Sequence, residues 1–462
     1  MSESSSAHTV ADSLRREYGG RPPETRLPST RAIAAQHGVG PVTVQSALRL
    51  LVAEGIVETR PGNGTFVARR PRPPHERDLS WQTTALGPAG PLDVELPGAR
   101  SAAPGALAMH GGYPAPELLP GALVRSALAR AARDSSVVLD AQMNSGLPRL
   151  RAWFANEPGP AAGYDADDVL VTNGGQSAVS ATLRALAAPG DAVVMESPTY
   201  WGAMLAARAH GLRIVPIART VDGIDPGDLA DALAAHNARV FYAQPTFANP
   251  SGEVWSPSVR AETLRVLAEH KAFVVEDDWA RDLAIDDAPP PLAAADPDGH
   301  VVYVRSLTKS MSPSIRVAGI VARGPALRRI STSRWAGEMF VPGLAQHVAL
   351  DVLTAPGWRR HIATLRRELR ERRDALVREL RATPLSVDRV PGGGMSVWVR
   401  LPGDVPARDV ARRASALGLE VAPGDDWFPA EPPGQCVRMG FVATLPTRYR
   451  EAVGILAEAA GV

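Results

Sequence analysis

The sequence predicts an α/β fold for most of the chain, preceded by a small helical domain. From about residue 100 onward, short β-branched apolar runs alternate with helical segments rich in Ala, Leu and Arg. Residues 1–70 are instead polar and mildly basic. A stretch rich in Pro and charge separates the two regions and has no apolar periodicity. We therefore expect a domain over 1–70, a linker over 71–100 and a second domain over 101–462.

Composition limits the class of protein. The chain has 462 residues, a formal net charge of +1 and a single cysteine, Cys436. One cysteine excludes an internal disulfide framework and a cysteine-rich metal site, so we expect no metal. No apolar run approaches the roughly 18 residues of a membrane span, and the N-terminus has no apolar signal region. These features predict a cytoplasmic protein without a membrane partner.

Residues 26–68 read RLPSTRAIAAQHGVGPVTVQSALRLLVAEGIVETRPGNGTFVA. Ser29 is a good N-cap for a first helix, and Pro41 suits the first turn of a second helix. The Pro-Gly-Asn-Gly segment that follows predicts a two-stranded hairpin. Helix, turn, helix and hairpin together predict a winged helix-turn-helix, whose second helix can enter a major groove.

This stretch resembles the GntR family of bacterial regulators in its LPS-R, GV---TV--AL--L--EG-V and G-GTFV positions. The resemblance implies binding to double-stranded operator DNA and a nucleoid-associated protein. Six arginines against two glutamates give residues 26–70 a net charge of +4, which suits phosphate contacts. Each contact residue can equally be a solvated polar group, so the individual contacts stay open. The candidates are Arg31, Thr43, Gln45 and Arg49 on the helices and Arg60, Gly62 and Gly64 in the wing.

The larger region alternates buried strands with helices, which predicts a mainly parallel sheet. The segments GGMSVWVRL and CVRMGFVA indicate strands of a smaller C-terminal α+β lobe. A long arginine-rich helix precedes them; its charge is read as a solvated face, with nucleic-acid contact as the alternative. The predicted strands of the sheet are DVLVT (168–172), DAVVME (191–196), RVFYAQP (239–245), AFVVEDD (272–278) and VVYVRSL (301–307).

Lysine is almost absent from the chain. It occurs only at Lys271 and Lys309, so the remaining basic residues are arginine. Lys309 follows a predicted strand, at the sheet edge where α/β folds build their sites. A lysine amine can lose its proton and condense with an aldehyde, whereas a guanidinium stays protonated. Lys309 is therefore a candidate Schiff-base residue for pyridoxal 5'-phosphate (PLP), and Lys271 is read as solvated surface.

A PLP site needs partners for each part of the cofactor. The phosphate needs a helix N-terminus, hydroxyls and a cation, and the pyridine nitrogen needs a carboxylate. Asp277 follows an apolar strand, with Glu276 and Asp278 as alternatives. The ring needs an aromatic face and a hydrogen-bond donor, and a ligand carboxylate needs an arginine. The candidates are Gly174, Gly175, Gln176, Ser306 and Arg316 for the phosphate, Asp277 for the nitrogen, Tyr200 for stacking, Asn249 for the ring oxygen and Arg438 for the ligand.

In this order, the motifs GLPRLR, GGQ, ESPTY, NPSG, EDD, SLTKSMSPSIR and VRMGF resemble the aspartate-aminotransferase superfamily of fold-type-I PLP proteins. The resemblance runs from about residue 111 to the C-terminus and implies the roles just given, with Lys309 in the Schiff base. A winged helix joined to this fold is similar to the MocR/GabR subfamily of GntR regulators. That similarity implies a homodimeric transcriptional regulator that senses a small amine, an amino acid or PLP itself.

The chain departs from the aminotransferase pattern at three places. Ala141 and Trp279 stand where tyrosines are common, and Phe247-Ala248 stands where His-Gln is frequent. Indole cannot accept a hydrogen bond, so these departures argue against efficient transamination but not against cofactor binding. The sequence thus favours sensing with weak or no transaminase activity. The alternatives are a working aminotransferase with an auxiliary DNA-binding domain and a dimerisation scaffold without cofactor.

Overall fold

The computed structural model describes residues 3–69, 78–86, 102–103, 105–403 and 405–462. Contacts divide the chain into two units, residues 1–89 and 90–462. Most of the linker predicted over 71–100 lies outside the described residues, so its boundaries stay a prediction.

The first unit is a winged helix-turn-helix. The Ser29 hydroxyl accepts a hydrogen bond from Ala32 N (3.2 Å) and so caps the first predicted helix, and Pro41 begins the second. Both features confirm the sequence prediction. A further N-terminal helix buries Val10 and Leu14 and was not predicted. The elements are α1 (Glu3–Tyr18), α2 (Thr30–His37), α3 (Pro41–Ala53), β1 (Val57–Arg60), β2 (Gly64–Val67) and α4 (Ser80–Leu86).

The strands of the second unit include all five that the sequence predicted for the sheet. In chain order they are β3 (Leu107–Ala108), β4 (Val169–Thr172), β5 (Ala192–Ser197), β6 (Arg213–Thr220), β7 (Gly223–Ile224), β8 (Val240–Ala243), β9 (Phe273–Asp278), β10 (Val301–Ser306), β11 (Ala318–Val321), β12 (Ser396–Arg400), β13 (Leu419–Glu420), β14 (Ala422–Pro423) and β15 (Cys436–Gly440).

The helices of the second unit cover the sheet or belong to the smaller lobe. They are α5 (Gly121–Ala131), α6 (Ser135–Leu139), α7 (Pro148–Ala155), α8 (Gly175–Leu186), α9 (Trp201–Ala209), α10 (Pro226–Ala235), α11 (Pro257–His270), α12 (Gly324–Gly337), α13 (Gly343–Thr354), α14 (Gly357–Arg381), α15 (Ala407–Ala416) and α16 (Tyr449–Ala460).

The main sheet is mixed but mostly parallel, as predicted. Its order is β4-β11-β10-β9-β8-β5-β6-β7. Strands β6, β5, β8, β9 and β10 pair in parallel, while β11 runs antiparallel to both of its neighbours. Apolar side chains fill both faces, which is why these strands read as continuous apolar runs. The carboxyl ends of β4, β5, β8, β9 and β10 therefore meet at one edge.

The smaller lobe packs α14, α15 and α16 on a sheet of order β12-β15-β14. Strand β3 pairs with β13 and brings the chain at residues 107–109 into this lobe. Within the described ranges, we find no helix long and apolar enough to cross a membrane. The same ranges hold no group of three or more His, Cys, Asp or Glu side chains arranged to bind a metal.

Candidate functional site

Lys309 lies in the turn that follows β10, at the carboxyl edge of the sheet. Its side chain is half-buried, and its Nζ donates to the carbonyl of Gly112 (2.6 Å) and lies 3.5 Å from the ring centroid of Tyr113. Loss of solvent, reinforced by the charges of Arg438 and Arg316, lowers the pKa of Lys309 to about 7. A large share of this amine is therefore unprotonated at neutral pH, the state that attacks an aldehyde.

Asp277 lies near the carboxyl end of β9, and only 4% of its surface is exposed. Its Oδ2 accepts hydrogen bonds from Tyr242 Oη (2.6 Å) and Gln244 Nε2 (2.8 Å), both on or just after β8. Burial raises the pKa of Asp277 to about 6, so the carboxylate is ionised at neutral pH. Its other oxygen, Oδ1, has no hydrogen-bond partner within the part of the chain that the structure describes.

The two acids beside Asp277 have other partners. Glu276 accepts hydrogen bonds from the backbone of Leu292 and Ala293. Asp278 accepts from Tyr303 Oη (2.8 Å) and pairs with Arg281 (3.3 Å). Glu276 and Asp278 each lie near an arginine, whereas the two donors on Asp277 are neutral and the charge of Lys309 acts on it. This difference, rather than the number of partners, favours Asp277 as the acid for a pyridine nitrogen.

The candidate phosphate residues lie against one another at the start of α8. Gly174 has a φ of 88°, and a Cβ there would lie 2.6 Å from the Arg316 guanidinium, so only glycine permits this packing. Arg316 donates to Thr308 Oγ1 (3.3 Å), and Ser306 Oγ would lie 3.5 Å from a Cβ at Gly175. A helix N-terminus, a hydroxyl and a guanidinium thus converge, which suits a phosphate.

Gln176 and Tyr200 pack together beside this cluster. Both side chains lie where a Cβ on Gly202 would stand, and Gln176 Nε2 donates to the Gly202 carbonyl (2.7 Å). The Gln176 Oε1 is buried without a hydrogen-bond partner in the described ranges. Burial and the charge of Asp277 raise the pKa of Tyr200 well above its usual range, so it is a neutral ring at physiological pH.

Asn249 and Arg438 each carry a buried polar atom that lacks a partner among the described residues. These atoms are Asn249 Oδ1 and Arg438 Nε. Arg438 Nη1 reaches only the carbonyls of His110 and Gly111, each at 3.3 Å, and no ion pair joins its guanidinium to a described acid. Burial lowers the pKa of Arg438 to about 10. A buried guanidinium without an acid favours an anionic ligand, because an unpaired buried charge is costly.

The departures from the aminotransferase pattern are also visible. Trp279 Nε1 donates to the carbonyl of Phe247 (3.1 Å), so the one polar group of the indole, which is a donor only, is already in use. Ala141 is exposed in the segment after α6. The sequence prediction missed Tyr242 and Gln244, although both lie in the quoted run RVFYAQP. Their polarity at the end of a buried strand was the available signal.

In the first unit, the candidate DNA contacts differ in solvent exposure and in the bonds that they already make. Arg31, Gln45 and Arg49 are exposed, and Thr43 is half-buried. Among the residues that the structure describes, the Arg49 side chain makes one hydrogen bond, to Ser46 Oγ (3.0 Å).

The wing arginine is more constrained than the sequence suggested. Arg60 pairs with Glu24 (2.7 Å) and with Glu58, so its charge is partly neutralised. The turn glycines Gly62 and Gly64 have φ of 78° and 109°, and Arg26 lies 3.2 Å from a Cβ built at Gly64. Arg26 is a wing cation that the sequence prediction missed.

The fold and this pocket define a class of protein: a fold-type-I PLP-dependent domain joined to a winged helix-turn-helix. Comparison with known families agrees. The chain belongs to the aminotransferase class I and II family, whose model matches residues 118–418, and residues 7–67 match the gntR family of bacterial regulatory proteins. The combination confirms the predicted fold class and the predicted resemblance.

Individual relatives fall into regulators and transaminases. A 2-aminoadipate transaminase of Thermus thermophilus is 32% identical over 70% of this chain and 82% of its own length. The probable rhizopine catabolism regulatory protein MocR of Rhizobium meliloti is 29% identical over 94% of this chain and 89% of its own. The regulator YjiR of Escherichia coli is 28% identical over 94% of both chains.

A solved structure supports the cofactor. LysN, an alpha-aminoadipate aminotransferase from Thermus thermophilus, was crystallised with N-(5'-phosphopyridoxyl)-L-leucine. It shares 28% identity and a TM-score of 0.72 with this chain, covering 77% of this chain and 92% of LysN. Together with the family match, this structure indicates PLP as the cofactor. The regulators that match nearly the whole chain support a PLP-dependent DNA-binding regulator, although a transaminase relative also exists.

Proposed function

We propose that this protein is a transcriptional regulator that senses an amino compound, or PLP itself, through its aminotransferase-like domain and changes its DNA affinity in response. One observation carries the proposal. The half-buried amine of Lys309, with a pKa near 7, and the buried guanidinium of Arg438, which has no acid partner among the described residues, donate to successive carbonyls of residues 110–112. Lys309 suits an aldehyde cofactor, and Arg438 suits the carboxylate of an amino acid. The winged helix-turn-helix supplies the output.

Each candidate residue has a distinct part in holding PLP. When bound, PLP supplies an aldehyde carbon that exchanges one amine for another. Lys309 would hold that carbon covalently until a ligand amine displaces it. Arg438 would orient the ligand by its carboxylate, and Asp277 would keep a proton on the pyridine nitrogen. The remaining contacts would come from Tyr200 and Asn249 at the ring and from Gly174, Gly175, Gln176, Ser306 and Arg316 at the phosphate.

Ligand binding can change DNA affinity only if the ligand binds two arrangements of the protein unequally. Displacement by a ligand amine would free the amine of Lys309, and a ligand carboxylate at Arg438 would compete with the carbonyls of His110 and Gly111. These carbonyls belong to the segment that follows the predicted linker. The ligand therefore acts on the part of the domain nearest in sequence to the DNA-binding unit.

The test is a titration of promoter DNA in the presence and absence of ligand. We expect PLP followed by an amino acid effector to change the DNA dissociation constant about 5- to 150-fold, the usual range of coupling between two sites. Fluorescence anisotropy of a labelled promoter fragment measures the change. The variant Arg438→Gln should respond to PLP but no longer to amino acids. Equal DNA affinity with every PLP–amino acid pair would contradict sensing.

The second candidate function is a working aminotransferase, which the 32% identical transaminase favours. The indole at Trp279 argues against it, because its N–H already donates to Phe247 and cannot serve as the phenol of many relatives. Steady conversion of amino donors with a keto acid, at rates of about 1 s⁻¹ or more, would favour the enzyme.

An exposed apolar patch supports the proposed homodimer. The patch has residues from two parts of the chain: the end of α6 with the residues that follow it, and the region from α12 to α13. A hydrogen bond from Arg334 to the Asn144 carbonyl (2.8 Å) links these two parts. Large exposed apolar surfaces on a domain usually mark an interface. The apolar residues of the patch are Val138, Leu139, Met143, Trp335, Met339, Phe340 and Leu344, from 38% to 79% exposed.

A charge placed in this patch should separate the two copies. Leu139 is 79% exposed, so Leu139→Glu costs the free subunit little but buries a carboxylate in the dimer. We expect the dimer dissociation constant to rise at least about 100-fold, from the roughly 3 kcal/mol or more that an unpaired buried charge costs. Analytical ultracentrifugation measures it. The control is Val221→Glu, 71% exposed on the β6–β7 turn, which should stay dimeric. A dimeric Leu139→Glu would place the interface elsewhere.

A further inference from the structure

Gln244 connects the two residues that the proposed site assigns to the pyridine nitrogen and to the ring oxygen of the cofactor. It follows β8, and only 1% of its surface is exposed. Its Nε2 donates to Asp277 Oδ2 (2.8 Å), and its Oε1 accepts from the backbone N–H of Asn249 (2.9 Å). One buried amide therefore ties the carboxylate expected at the pyridine nitrogen to the asparagine expected at the ring oxygen.

The backbone of Gln244 is fixed by a buried hydrogen-bond network around Glu196. Its backbone N–H donates to Glu196 Oε2 (2.8 Å). Glu196 is fully buried, pairs with Arg219 (2.6 Å) and accepts from Trp255 Nε1 (3.0 Å). Breaking such a network costs more than one isolated hydrogen bond, because each buried partner would be left unsatisfied. The backbone of Gln244 is thus fixed by Glu196, and its side chain is bonded to Asp277 and to the backbone of Asn249.

The hydrogen bonds on Asp277 are also arranged selectively. Tyr242 and Gln244 both donate to Oδ2, and within the described ranges none donates to Oδ1. Two donors on one oxygen restrict rotation of the carboxylate and leave the other oxygen for a further donor. A protonated pyridine nitrogen is a donor of this kind.

We propose that Gln244 is a positioning residue of the cofactor site, which sets the spacing between Asp277 and Asn249 and keeps Oδ1 of Asp277 available to the cofactor ring. The proposal rests on the PLP site proposed above. It predicts that Gln244 controls cofactor affinity without touching the reacting atoms.

The variant Gln244→Met tests the proposal, because methionine keeps the length and approximate volume but removes both hydrogen bonds. We expect the PLP dissociation constant to rise about tenfold, or about 1.4 kcal/mol. Removing a donor from the carboxylate also favours its protonated form, so the pH below which PLP is lost should move up by about one unit. Spectroscopic PLP titrations between pH 5 and 8 measure both quantities without any turnover.

The pH shift can be assigned because the other groups near Asp277 are unchanged in the variant. The charged or titratable groups that act on it are Tyr242, Asp278 and Lys309, and Tyr200 faces it from the start of α9. Since each is present in both proteins, a difference between their pH profiles reports on Gln244.

A matched control separates positioning from stability. Gln346 is also fully buried, donates to the Val341 carbonyl (2.8 Å) and accepts from Leu147 N (2.7 Å). Gln346→Met should lower the unfolding temperature but leave the PLP titration within about twofold of wild type. If Gln244→Met behaves in the same way, Gln244 is only structural and the proposal is wrong.

The remaining outcomes are also decisive. A wild-type protein that captures no PLP refutes the proposed site itself, whereas a wild type that binds beside an unaffected Gln244→Met refutes only the positioning role. If Gln244→Met does not fold, Gln244→Asn keeps an amide that is one methylene too short to bridge both partners. It should show the same loss of affinity and the same pH shift, and wild-type values in this variant would overturn the proposal.

Discussion

Lys309→Arg is expected to abolish covalent capture of PLP. Arginine keeps the positive charge and the approximate length, but its guanidinium does not lose its proton and cannot form the Schiff base. In wild type, the pKa near 7 predicts that the rate of capture rises with pH through neutrality, as the unprotonated amine becomes the major form. Borohydride reduction followed by peptide mapping measures the adduct. The visible absorption band of the adduct should disappear in the variant, although free PLP can still bind at the phosphate contacts.

The matched control is the only other lysine of the chain. Lys271 is exposed at the end of α11, where its φ of 52° places it in a left-handed C-cap. Lys271→Arg should keep the full adduct, because the substitution alters only a solvated side chain. An adduct on Lys271, or on neither lysine of the wild type, would show that Lys309 was retained for another reason. Regulation by amino compounds should be lost together with the adduct.

Three of the site residues predicted from sequence share one property. Lys309, Asp277 and Arg438 are each chemically out of place: a rare lysine, an acid at the end of an apolar strand and an arginine inside one. A buried charge without a partner costs free energy, so each of these residues indicates a compensating partner. Such a residue can be recognised from the local sequence alone. The five predicted strands were found for a related reason, since strands buried on both faces form continuous apolar runs.

The residues that the sequence prediction missed depend on tertiary neighbours. Gln244 can donate to Asp277 because β8 lies beside β9, and that strand order is a property of the whole sheet. Arg60 loses part of its free charge to Glu24, which precedes it by 36 residues. Strand β11 runs antiparallel between β4 and β10, and its short apolar run carries no signal of direction. Local sequence patterns indicate which residues are buried or chemically unusual, whereas strand order and ion pairs depend on contacts between distant parts of the chain.

The ion pairs of the first unit also allow the candidate DNA contacts to be ranked. Arg31 and Arg49 are exposed on the two helices, and neither forms an ion pair with a described acid. Arg60 already pairs with Glu24 and Glu58, so its substitution by alanine removes a cation that is partly neutralised. Because phosphate affinity depends on free positive charge, we expect the helix arginines to matter more than the wing arginine.

Replacing Arg31 and Arg49 together by alanine is expected to weaken promoter binding about 100-fold at physiological salt, since each hydrogen bond to a charged group typically contributes about 1.5–3 kcal/mol. The slope of log affinity against log salt should fall by about two, because two fewer phosphate counterions are released. Anisotropy titrations between 50 and 300 mM salt measure both effects in the full-length protein.

Arg60→Ala should weaken DNA binding less than the double substitution. Arg412→Ala, whose arginine side chain is 78% exposed in α15, should not change it. PLP spectra should be the same in all of these variants, because none of the substituted residues is a candidate cofactor contact. Wild-type affinity and salt slope in the Arg31/Arg49 variant would show that the helix arginines do not contact DNA.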